Sequence, residues 1–144
     1  GTRLRCPCDA FTCTCFNLRK ATRALTQIYD DALRPVGLRA NQVAILTIAK
    51  AMGPIGMSEL ASALVMDRTT LTRNLKPLHE AGYLDSQPGE DKRRRVIALT
   101  SKGRRILAEA EPLWKETQTR IADNLGHTRW TRLLGDLSHV TQLA

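Results

Sequence analysis

The sequence predicts a mainly α fold (α+β) with one small β-hairpin, and three observations predict it. Apolar residues recur at three- and four-residue spacings along most of the chain. Strand character is confined to residues 83–87 and 95–99, which flank the turn-prone Pro88-Gly89-Glu90-Asp91. Two short helices separated by a tight break directly precede that hairpin. Helix, turn, helix with one basic face, then a hairpin with an arginine-rich tip is the order of a winged helix-turn-helix. The stretch from residue 57 to 100 carries it, and the helices on either side are expected to pair two copies.

The 144 residues are read as one domain, long enough to bury a core without staples. Within it, residues 1–33 form an arm and a dimerisation helix, 39–100 the winged helix-turn-helix, and 101–144 further dimerisation helices. With two each of Phe, Tyr and Trp, the core must be built from Leu, Ile, Val and Ala. No apolar run approaches the ~20 residues that a membrane span needs. The start of the chain is polar and Cys-rich with no apolar leader, so a cytoplasmic location away from membranes is expected.

Residues 1–14 have no periodicity and read as an irregular arm. A first helix is expected from Cys15, with Leu18, Ala21, Leu25, Ile28, Tyr29 and Ala32 in helical register, ending near Leu33 before Pro35 and Gly37. Asn41 is the expected N-cap of the second helix, which runs to Ala51. Gly53-Pro54-Ile55-Gly56 breaks the chain. Ser58 is the expected cap of the third helix, with Glu59 in its first turn, where the helix dipole favours an anion. Asp67 caps the fourth. Leu71, Leu75 and Leu78 form its buried stripe, and Thr69, Thr72, Arg73 and Lys76 occupy the opposite face. Pro77 predicts a bend within it and Gly82 its end. After the hairpin, Thr100 or Ser101 starts a long helix to about Asp123, kinked at Pro112. Gly126 separates it from a last amphipathic helix carrying Trp130, Leu133, Leu134, Leu137 and Val140.

The net charge of +8 is concentrated. Between Pro88 and Arg105 stand Lys92, Arg93, Arg94, Arg95, Lys102, Arg104 and Arg105, against Glu90 and Asp91 alone. A solvated basic face is the plain reading of any one of these. Beside a helix-turn-helix pattern, together they point to a polyanion. Thr69 and Thr70 are short enough to enter a major groove, Arg73 can reach guanine bidentately, and Lys76 or Arg68 suits phosphate. The tip, Asp91-Lys92-Arg93-Arg94-Arg95, suits a narrow minor groove. The candidate DNA contacts are therefore Ser58, Arg68, Thr69, Thr70, Thr72, Arg73, Lys76, Asp91, Lys92, Arg93, Arg94 and Arg95. No cofactor is called for.

Residues 57–103 resemble the multiple-antibiotic-resistance regulator (MarR) family. Asp91-x-Arg93 with Ile97-Ala98-Leu99-Thr100-x-x-Gly103 is similar to its wing, and Asp67-Arg68-Thr69-Thr70-Leu71-Thr72-Arg73 through Glu80-Ala81-Gly82-Tyr83-Leu84 to its recognition helix. The likeness continues in looser form over nearly the whole chain. It implies a homodimeric regulator of transcription on double-stranded DNA with a pseudo-palindromic operator, Arg93 as the minor-groove arginine, and Asp91 steadying the wing.

Cys6, Cys8, Cys13 and Cys15 are the only cysteines and fall within ten residues. They read as buried small hydrophobes, as redox-active thiols near a helix N-terminus, or as a thiolate metal site whose spacing departs from paired C-x2-C zinc ligands. Cys15-Phe16 followed by Tyr29 resembles the organic-hydroperoxide-sensing branch of the family, which implies redox sensing by Cys13 or Cys15 with Tyr29. Arg19 and Ala40 stand where that branch has further tyrosines. The other family habit is a small lipophilic or aromatic carboxylate between the dimer helices and the DNA-binding lobe. Leu18, Thr22, Arg39, Trp114 and His79 are candidate lining, with Arg39 as the carboxylate partner. Enzyme chemistry lacks support: the three histidines have no acid or nucleophile at a recognisable spacing, and there is no phosphate loop. A basic RNA-binding module is the remaining rival.

Overall fold

The structure is a computed structural model that describes residues 11–144. Cys6 and Cys8, weighed above as thiol or metal-ligand candidates, lie outside the described residues. Six helices and three short strands follow in order: α1 (Thr14–Leu33), a 3-10 turn (Arg34–Val36), α2 (Ala40–Met52), β1 (Ile55–Gly56), α3 (Met57–Leu64), α4 (Arg68–Glu80), β2 (Leu84–Pro88), β3 (Arg95–Leu99), α5 (Ser101–Leu125) and α6 (His127–Thr141).

Two of the helices, α4 and α5, start where their caps dictate. Asp67 accepts the N–H of Thr70 at 2.8 Å to open α4, and Thr100 accepts that of Gly103 at 3.0 Å to open α5. Two expected caps are displaced. α2 is capped at Arg39 rather than Asn41, because the Gln42 side chain reaches back to the Arg39 N–H at 2.9 Å. α3 is capped at Gly56 rather than Ser58, which falls inside its first turn. The expected two-strand hairpin is a three-stranded antiparallel sheet in the order β1-β3-β2. β1 pairs Ile55 with Ile97, and two residues are too short for any periodicity to betray them. Both α4 and α5 continue through their prolines, Pro77 and Pro112.

The core lies between α2, α3, α4 and the sheet. Ile45 and Leu46 of α2, Leu60 of α3 and Leu71 and Leu78 of α4 are fully enclosed, and Ile97 of the central strand closes the layer. Leu71, Leu75 and Leu78 form the buried stripe that their spacing predicts. α1 packs on α5, joined by a hydrogen bond from the Tyr29 hydroxyl to Gln118. α6 is different: it packs on α5 but buries none of its own residues, and Leu133 and Leu134 stay about two-fifths exposed.

Candidate nucleic-acid interface

The reading head is assembled by hydrogen bonds that sequence pattern alone does not display. Recognition helix α4 ends in a left-handed Gly82 (φ +78), with Gly82 N–H bonded to His79 and Tyr83 N–H to Leu78 at 2.9 Å. The chain then enters β2. Thr100, at the end of β3, donates its hydroxyl to Gly82 O at 2.6 Å, and its N–H goes to Tyr83 O at 3.1 Å. A methyl group on Gly103 would lie 2.2 Å from Tyr83 O, so α5 approaches this junction as only glycine allows. The Thr100-x-x-Gly103 spacing therefore ties the exit of α4 and the base of the wing to the start of α5.

α4 presents Thr69, Thr72, Arg73 and Lys76 on its exposed face, with Arg68 at its first turn. Two hydroxyls are already committed. Thr70 donates to Asp67 Oδ2 at 2.8 Å and Thr72 to Arg68 O at 2.9 Å, so neither offers a free donor to a base in this arrangement. Thr70 is a capping residue first. Thr69 stays exposed with no side-chain hydrogen bond among the described residues. The Thr70 N–H and hydroxyl hold the Asp67 carboxyl below its ordinary pKa.

The wing loop, residues 89–94, is self-braced. Asp91 Oδ1 accepts the Arg93 N–H at 3.1 Å, the Arg94 N–H reaches Asp91 O at 2.9 Å, and Gly89 N–H reaches Arg94 O at 2.7 Å. Lys92, Arg93 and Arg94 project from it exposed. Arg95 begins β3 and donates to Ser86 Oγ at 3.1 Å across the strands.

Arg68, Arg93, Arg94 and Arg95 converge with Gly56, Met57, Ser58 and Glu59 around a crevice of about 480 Å³ between α3 and the wing. Ser58, expected as a cap, is thus a wall of this crevice. Ion pairs among the described residues form only at Arg34–Asp31 and Lys115–Glu111, so the four guanidiniums have no bound carboxylate. Concentrated, unpaired positive charge beside an exposed helix face is an electrostatic footprint for a polyanion. Glu59 is the site residue that sequence reasoning took for a helix-dipole anion alone. Its place three residues after Gly56 was the available signal.

The candidate sensor residues are less gathered. Cys13 is the N-cap of α1, its sulfur accepting the Phe16 N–H at 3.4 Å, and Cys15 is exposed one step into the helix. Tyr29 stands fourteen residues after Cys15 on the same helix, about 21 Å along the axis. Within one chain the two do not meet. Tyr29 donates instead to Gln118, and partial burial raises its hydroxyl pKa. No group of three metal-ligating side chains occurs among the described residues.

The five lining candidates also separate. Thr22 and Arg39 share a groove of about 650 Å³ with Arg23, Asp30 and Arg34. Trp114 lies in another cleft of about 210 Å³ beside Val43 and Lys50, and Leu18 lines neither. His79 lies in the last turn of α4, its Nδ1 3.2 Å from Leu84 O, and lines a further groove.

Comparison with known proteins agrees with this geometry. The pattern of the MarR family matches residues 38–96. The HTH-type transcriptional regulator YwoH of Bacillus subtilis, itself uncharacterized, is 30% identical over 104 residues, spanning 72% of this chain and 71% of that protein. The transcriptional regulator MosR of M. tuberculosis, solved in complex with DNA, is 39% identical over 91% of this chain and 95% of its own, with a TM-score of 0.84. The repressor CouR on a 23-mer duplex superposes with a TM-score of 0.83 at 23% identity, covering 97% of this chain and 99% of its own, a likeness of fold alone.

Proposed function

This chain belongs to the MarR family of DNA-binding transcriptional regulators, and from that premise we propose a homodimeric repressor whose two recognition helices enter successive major grooves of a pseudo-palindromic operator. The observation that carries the reading is the crevice where Arg68, at the start of α4, meets Arg93, Arg94 and Arg95 of the wing, none of them in an ion pair among the described residues. Thr69 and Arg73 read base edges, Arg68 and Lys76 hold phosphate, and Arg93 enters the minor groove. Lys92, Arg94 and Arg95 add backbone contacts, and Asp91 fixes the tip.

The exposed apolar faces support the second copy. Leu133, Leu134 and Val140 of α6 and Leu25 and Ile28 of α1 are 37–43% exposed. Helices that bury so little of their apolar stripe within the chain gain by burying it against a partner.

Release is assigned to cysteine oxidation or to a small lipophilic or aromatic carboxylate. In the first route a thiolate at Cys13 or Cys15 takes one oxygen from an organic hydroperoxide, giving a sulfenic acid and leaving the alcohol. At Cys13 this alters the atom that caps α1. In the second route Arg39, at the groove where α1 meets α2, receives the carboxylate. Either would change the spacing of the recognition helices.

Fluorescence anisotropy on a duplex from upstream of the gene tests both. The protein is titrated reduced, then treated with an organic hydroperoxide, then re-reduced. Reversible loss of binding supports the thiol route. Unchanged binding after mass-confirmed oxidation overturns it and leaves the carboxylate route. Preference for structured RNA over the duplex would favour the rival RNA-binding reading.

A further inference from the structure

We propose that Glu59 is a brake on DNA affinity: its carboxylate opposes a backbone phosphate approaching the arginine crevice and so lowers the sequence-independent part of binding. The inference rests on the DNA-binding reading above and deepens it.

Among the described residues, Glu59 is the only carboxylate lining the crevice that Arg68, Arg93, Arg94 and Arg95 share. Its side chain is exposed. It folds back over the start of α3, so that a methyl group on Gly56 would lie 2.2 Å from Glu59 Oε2. Gly56 caps α3 without a side chain and supplies no side-chain hydrogen bond to its first amides. The carboxylate therefore stands as an anion at the mouth of the arginine crevice, yet it forms no ion pair with any of the four guanidiniums. Those cations stay available to an outside anion whose approach Glu59 opposes.

Phosphates are the same in every sequence, so a group that opposes them lowers a sequence-independent attraction. Base contacts from Thr69 and Arg73 on α4 are untouched by it. The opposition is therefore the same on the operator and on any other duplex, and it lowers both affinities by a similar factor.

The test is Glu59→Gln, which keeps the size of the side chain and removes its charge. Parent and variant are titrated against a scrambled 24-base-pair duplex and against the upstream duplex, at several salt concentrations. The variant should bind the scrambled duplex several-fold more tightly at moderate salt. Its plot of log K against log salt should steepen by about 0.9, one additional phosphate contact, and its affinity for the upstream duplex should rise by a similar factor. A merely structural role for Glu59 would not steepen that slope. Equal slopes and affinities, or weaker binding of the scrambled duplex by the variant, would overturn the proposal. A parent that binds neither duplex at low salt would count against the DNA-binding reading instead.

Discussion

The Asp91 carboxylate accepts the backbone N–H of Arg93 at 3.1 Å, and the same residue's carbonyl accepts that of Arg94 at 2.9 Å. One short acidic side chain thus folds the tip that carries three consecutive cations. The arrangement is an Asx turn, and it pre-sets the backbone direction from which Arg93 leaves. Arg93→Ala is expected to weaken binding to the upstream duplex at least tenfold. Asp91→Ala, which removes no positive charge, should also weaken it several-fold, with little change in melting temperature. Anisotropy with parallel thermal melts checks this, and tighter binding by Asp91→Ala would show that its charge matters more than the turn.

Arg73 and Lys76 share the exposed face of α4 but are assigned different work. Arg73→Ala should cost roughly 1–3 kcal/mol at one base position and relax sequence preference there. Lys76→Ala should weaken all sequences alike and flatten the salt slope by about 1. Selection from a randomised duplex pool, followed by salt titrations, separates the two. Identical sequence profiles for Arg73→Ala and the parent would remove Arg73 from base reading.

Asp67 makes the start of α4 sensitive to acid. Its carboxyl lies below the ordinary value of 3.8, chiefly through the Thr70 N–H and then the Thr70 hydroxyl. A group with a depressed folded pKa contributes stability that is fully present above its unfolded pKa and lost as pH falls through the folded value. The parent should therefore lose more stability below pH 4 than Asp67→Asn, which keeps a capping oxygen but does not titrate. Denaturant melts from pH 5 to pH 2.5 provide the comparison, and parallel curves would contradict the assignment.

Val65, in the turn between α3 and α4, has φ +51 and ψ +50 and is 68% exposed. A β-branched residue in that left-handed region is strained, and its exposure means that little packing offsets the strain. Val65→Asn should stabilise the fold by roughly 0.5–1 kcal/mol, since asparagine tolerates this backbone. That corresponds to a rise of about 2–5 °C in melting temperature. A lower melting temperature would show that the valine makes contacts that outweigh its strain.

Much of this was legible in the chain. The Leu71, Leu75 and Leu78 spacing identified the buried face of α4, and Asp67 and Thr100 marked two helix starts correctly. Asn41 and Ser58 misled because a cap is decided by what reaches the free amides. At α2 it was Gln42, and at α3 a bare glycine with Glu59 behind it. β1 could not be read because Ile55 and Gly56 become a strand only by pairing with β3. Nor could sequence show that Thr70 spends its hydroxyl on Asp67, or that Thr22 and Arg39 stand in a different groove from Trp114. These are long-range or geometric facts, settled by the tertiary arrangement rather than by local preference.

The most direct test of the central claim is hydroxyl-radical footprinting of the protein on its upstream duplex, beside the Arg73→Ala/Arg93→Ala double variant. Two protected half-sites related by a two-fold axis are expected, with major-groove centres about one helical turn apart. Minor-groove protection should flank them and disappear in the double variant. A single unpaired footprint, or one that the double variant reproduces in full, would contradict the docking of α4 and the wing proposed for this protein.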